Sequence, residues 1–166
     1  MATTYEKIAT TTLGTAGATI TFSSISSAYT DLRLVLVSVG SLAGTSNVFV
    51  QFNGDTGSNY SRTILNGSGA SAASFRSSSQ ASINIGQGGL DDTQPTFCAI
   101  DLFSYTGSTY KTILFAWNQD LNGSGNVMRG VGLWQSTSAV NEVKLFVNGM
   151  NFNTGTTATL YGILKA

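Results

Sequence analysis

The sequence predicts an all-β protein, an antiparallel two-sheet sandwich of jelly-roll-like kind, and three observations carry that prediction. Apolar residues alternate with a period of two along most of the chain, and no segment has the spacing of an amphipathic helix. Turn-forming residues punctuate nearly every gap, in "GDTG", "NGSG", "YTGSTY", a second "NGSG" and "NTGTT". Charged residues are only 10% of the 166 residues while hydrophobic ones reach 42%, so solubility rests on Ser, Thr, Asn and Gly, which suit strands and tight turns. A chain of this length fits one domain, residues 1–166, with its own core.

The predicted strands follow in order. The first are "YEKIATTTL" (5–13), "ATITF" (18–22), "LRLVLVSV" (32–39) and "NVFVQFN" (47–53). Then come "YSRTIL" (60–65), "ASINIG" (81–86), "TFCAIDLFSY" (96–105) and "YKTILFAWN" (110–118). The last three are "NVMRGVGLWQ" (126–135), "EVKLFV" (142–147) and "TATLYGILK" (157–165). The segment "NGSGASAASFRSSSQ" (66–80) is small and polar and reads as a long loop. Within it Phe75 and Arg76 are candidate partner contacts, with Tyr5 in the N-terminal segment as a third; a plain loop is the alternative.

Two strands depart from simple alternation. "LRLVLVSV" places Leu32, Leu34 and Leu36 on one face and Val35, Val37 and Val39 on the other. "TFCAIDLFSY" does the same with Cys98, Ile100 and Leu102 against Phe97, Ala99 and Phe103. Antiparallel strands with one wet face usually alternate cleanly, so both are expected to be covered on both sides. A loop or terminal arm folded over the sheet would do this, and so would a subunit interface.

Several chemistries are excluded. The chain has no histidine, which removes imidazole general-base catalysis, Ser-His-Asp and Cys-His nucleophiles and His-ligated zinc. Its single cysteine, Cys98, sits in an apolar run and reads as a buried thiol, consistent with synthesis in a reducing cytoplasm. Net charge is zero with Lys and Arg scattered singly, so no basic patch for nucleic acid is expected. No apolar run reaches membrane-spanning length, and the N-terminus lacks the apolar core of a signal peptide. Two-carboxylate glycoside hydrolysis stays formally open, since it needs only a pair of Asp or Glu at suitable separation, but Asp91 and Asp92 are adjacent in a loop and diverge. Asp101, mid-strand among apolar residues, reads as a structural ion pair with Arg33, Arg62 or Arg129. Trp117 and Trp134 end apolar strands and read as packing groups, with a sugar platform as the alternative.

Calcium is the one metal to weigh. "DLNGSG" opens like a Ca²⁺ loop at Asp120, Asn122 and Ser124, but Val131 stands where the closing Glu belongs. "FNGDTGSNYS" (52–61) likewise offers Asp55 as its only carboxylate. Both therefore read as turns, the second as a hairpin between strands 47–53 and 60–65, with no metal or cofactor.

The phrases "MATTYEKIATTTLG", "FNGDTGSNYS", "DLFSYTGSTYKT", "DLNGSG", "VGLWQSTSAVNEVKLF" and "GTTATLYGI", in that order along nearly the whole chain, resemble a family of small virion structural proteins of tailed phages. Such proteins are found especially in phages of cyanobacteria and other aquatic bacteria. The resemblance implies a β-sandwich of the virion, on the capsid surface or the tail fibre, and transfers no functional residues. It leads to the expectation of a non-enzymatic capsid decoration (cement) protein. Its expected partner is the major capsid protein, and it would bind as a homo-oligomer, a trimer on local three-fold positions. A tail-fibre domain recognising host surface glycans is the alternative.

Overall fold

The computed structural model describes residues 4–42 and 46–164 and contains twelve strands. They are β1 (Tyr5–Thr12), β2 (Thr19–Phe22), β3 (Asp31–Ser38), β4 (Ser46–Phe52), β5 (Tyr60–Gly67) and β6 (Ala72–Gln80). β7 (Ile83–Leu90), β8 (Thr96–Phe103), β9 (Lys111–Asp120), β10 (Gly125–Trp134), β11 (Val143–Val147) and β12 (Thr157–Ile163) complete the fold. The eleven predicted strands all form within a few residues of their expected ends; Lys165, in the last of them, lies outside the described residues.

An eight-stranded sheet runs β1-β12-β3-β8-β9-β10-β5-β6, and a four-stranded sheet runs β2-β11-β4-β7. Every pairing is antiparallel. The chain passes repeatedly from one sheet to the other, as in a jelly roll. Period-two alternation sends one side of each strand inward, and the core forms between the sheets. Leu34, Leu36, Ile100, Phe115 and Trp117 from the large sheet meet Val48, Val50, Phe52, Ile85 and Leu145 from the small one.

Glycine lets the layers approach closely at one place. A Cβ on Gly86 of β7 would lie 2.7 Å from ring carbons of Trp117 on β9. On β10, a Cβ at Gly132 would lie 2.8 Å from Ile83. These positions set β7 down on the large sheet.

Two expectations are corrected. Residues 66–80 are not a long loop: only Ser68–Ser71 turn, closed by the Ser68 amide donating to the Ser71 carbonyl at 3.0 Å, and β6 then forms an edge strand. Its side chains carry no strand signature because most of them stand in solvent, and among the described strands it pairs with β5 alone. "FNGDTGSNYS" is not a hairpin either. β4 belongs to the small sheet and β5 to the large one, so this segment carries the chain between layers.

Candidate functional site

The most distinctive surface is the outer face of the eight-stranded sheet. On β3 and β8, Val37 and Phe97 face each other across the ladder and remain 44% and 41% exposed. Leu114 on β9 lies opposite Val131 on β10, and both are exposed. Val127, Leu65 and Phe103 extend the patch towards β5 and along β8. No loop or arm among the described residues covers these side chains. The inner residues of the same strands are buried in the sandwich core, as alternation requires. Leu114 is legible in the unbroken apolar run Ile113–Trp117, the same two-sided signal as in β3 and β8, whereas Val131, between Gly130 and Gly132, carries no such signal.

One ion pair crosses this face. Arg33 Nη1 donates to Asp101 Oδ1 at 3.0 Å between β3 and β8, which is one of the pairings anticipated for Asp101. Arg129 on β10 has no such partner among the described residues.

The three candidate contact residues are not brought together. Tyr5 lies on β1 and Phe75 and Arg76 on β6, the opposite edges of one sheet, about 34 Å apart at the usual strand spacing. All three are exposed. Register sets Phe75 opposite inward-facing Ile64 and Arg76 opposite Thr63, so these neighbours point to opposite faces.

The inter-sheet segment is organised by Asp55. Its Oδ2 accepts from the Trp134 indole at 2.7 Å and the Asn59 amide at 2.9 Å, while Oδ1 accepts from the Gly57 amide at 2.8 Å. The indole bond, then those from Asn59 and Gly57, hold this carboxyl below the ordinary carboxylate range. Tyr60, buried beneath, donates to the Asp55 carbonyl at 3.1 Å, and burial pushes its phenol up to about 12. The carboxylate is spent on its own loop and on Trp134.

"DLNGSG" is the β9–β10 turn. Asp120 Oδ1 accepts from the Asn122 amide at 2.8 Å, and Asn122 and Gly123 take the positive φ angles of 55° and 114° that such a turn needs. Among the described residues no group of three or more acids or cysteines is placed to hold a metal. With the β5–β6 turn, this turn borders an open groove of about 440 Å³, lined by Ser68, Asn118, Asp120, Ser124 and Val127 among others.

The remaining ionisable groups are structural in placement. Burial would raise the Asp91 carboxyl, but bonds from the Thr93 and Gln94 amides, the Thr93 hydroxyl and the Gln119 amide together hold it below its ordinary value. Lys111 is fully buried and donates to the carbonyls of Gly107 and Thr109 at 2.7 and 2.6 Å; burial lowers its pKa. Nothing in the sequence marked it, because a lysine's long chain can cap a neighbouring loop from many positions. Arg62 reaches from β5 to the Gln87 side chain of β7 at 2.9 Å and joins the two layers. Cys98 is buried, and burial pushes its thiol far up.

What fold and site define is an all-β sandwich with an uncovered apolar sheet face and loops closed on themselves. No protein-family model matches the chain, and no curated protein matches it. Among solved structures the chain is similar to the galectin LEC-6 of Caenorhabditis elegans, at 13% identity and a TM-score of 0.41, covering 91% of this chain and 94% of that one. At that TM-score the likeness carries no argument about what this chain binds.

Proposed function

We propose that the protein is a non-catalytic virion structural protein of a tailed phage, a capsid decoration protein that binds the outer surface of assembled major capsid protein and stabilises it by contact. The observation that carries this reading is the uncovered apolar face of the eight-stranded sheet, spanning Val37, Phe97, Leu114 and Val127. Monomers that act alone rarely keep a contiguous apolar patch larger than a few hundred Å² in water, whereas assembly proteins use such surfaces. A chain without histidine, whose one cysteine is buried and whose best-placed carboxylates hold their own loops, fits a role carried out by binding. The phage-like phrasing of the sequence supports the virion as the setting. Stabilisation then follows from mass action, since a ligand of the assembled lattice alone lowers that state's free energy.

The test is a phage lacking this chain. The account expects particles that assemble and adsorb normally but lose their DNA at lower temperature, with resistance restored by adding purified protein. The tail-fibre alternative is favoured by the open groove at the β5–β6 and β9–β10 turns, where Ser68, Asn118, Ser124 and Asn126 offer hydroxyl and amide groups to a polyhydroxy ligand. On that reading the same particles would be heat-resistant and fail to attach.

A further inference from the structure

The antiparallel registers set the outward side chains of the large sheet in rows. In one row Leu65 of β5, Arg129 of β10 and Ala116 of β9 stand side by side. Along β10 the outward neighbours of Arg129 are Val127 and Val131, both exposed. Arg129 is itself exposed, and apolar residues occupy all four positions around it. No carboxylate among the described residues pairs with it.

The charges around it are not balanced. On β1, β12, β3 and β8 the outward charges cancel, Lys7 and Arg33 against Asp31 and Asp101, and Arg33 already pairs with Asp101. On β9, β10, β5 and β6 the outward cations are Arg129 and Arg76, about 12 Å apart at the usual strand spacing. The only carboxylate on those four strands is Asp120. It lies at the β9–β10 turn opposite Gly125, four residues from Arg129, and accepts the Asn122 amide.

Beside Arg129 the surface dips. Gly67 stands between Val127 and Ala72 in the next row and contributes no side chain. An open trough of about 530 Å³ results, lined by Leu65, Gly67, Ala72, Ser74, Val127 and Arg129 among others. It has room for an incoming side chain whose methylenes lie on Leu65 and Val127 while its head reaches the guanidinium.

We infer that the partner surface covering this face brings a carboxylate to Arg129, an Asp or Glu side chain that enters the trough. The inference rests on the capsid reading and names the chemistry that the capsid protein presents there. A purely apolar cover would take the guanidinium out of water with no partner, which is strongly unfavourable. A carboxylate in the plane of the guanidinium accepts two N–H bonds at once and offsets that cost. Arginine is also among the residue types that anchor interfaces. Arg76, on the edge strand, stays at the rim and in water, where it adds long-range attraction to the same acidic surface.

Co-sedimentation of the purified full chain with phage capsids that lack it tests this. The wild type should bind. Arg129→Leu should keep the far-ultraviolet spectrum and bind at least about thirtyfold more weakly, because the partner's carboxylate is then buried unpaired. Arg76→Leu should weaken binding by no more than about fivefold, as a rim charge does. Arg129→Lys keeps the charge, and a carbodiimide should couple its amine to an Asp or Glu of the capsid protein, giving a crosslinked peptide that the wild type does not give. If the wild type binds but folded Arg129→Leu binds as tightly or more tightly, or Arg129→Lys yields no such crosslink, the inference is overturned and the capsid reading stands. A wild type that does not bind overturns both.

Discussion

Replacing Asp55 with alanine distinguishes a turn held by its own carboxylate from a metal loop. The substitution removes acceptors for the Trp134 indole, the Asn59 amide and the Gly57 backbone at once. Trp134 is only 2% exposed, so its N–H has no ready access to water and is left without a partner. A buried unsatisfied donor costs about 1–3 kcal/mol, and a hydrogen bond to a charged group is worth about 1.5–3 kcal/mol. Asn59 and Gly57 are nearer to solvent and recover part of their loss by bonding to water. The sum is a destabilisation of about 3 kcal/mol. Asp55→Asn keeps an oxygen for the indole and loses chiefly the charge assistance, for about 1 kcal/mol. Urea unfolding followed by tryptophan fluorescence measures both, with Ca²⁺ present and absent. Wild-type-like stability of Asp55→Ala would refute the reasoning. So would a saturable stabilisation of the native chain by micromolar Ca²⁺ that the variant loses.

The remaining predictions follow from burial and titration. Cys98 should not react with a thiol reagent under native conditions and should react stoichiometrically in denaturant; rapid native labelling would contradict its burial. Gly86→Val should destabilise by about 1–3 kcal/mol or more in thermal melts, because the new side chain collides with the Trp117 ring. Asp55 and Asp91 both have lowered folded-state values, so their contribution is present above the unfolded value of 3.8 and is lost as the pH falls through and below it. Unfolding free energies measured down the acid range should drop there, and by less in Asp55→Asn.

Much of the architecture was legible because alternation and turn chemistry agree along most of the chain. β3 and β8 even announced a second apolar face, since Val37 and Phe97 occupy positions that a wet face would fill with polar groups. β6 is not legible in the sequence because all but one of the side chains of Ala72–Gln80 are exposed, and a strand without a buried face has no alternation to read. "FNGDTGSNYS" misled for a different reason. The Gly, Asn and Asp residues that tighten a hairpin also tighten a crossing between layers, so local turn chemistry does not say which strand comes next to which. The Arg33–Asp101 pair could be anticipated, as a carboxylate amid apolar residues calls for a cation. The Asp55–Trp134 bond could not, because it joins residues distant in sequence through a contact that only the packed layers create.

The central claim is that the chain serves as a shell-binding protein. Labelling it on intact particles with an antibody, and quantifying its copies against the major capsid protein, tests that claim most directly. The account predicts label over the whole capsid surface, in copies comparable to the number of capsomers. Label confined to the tail, in copies matching the fibres, would contradict it.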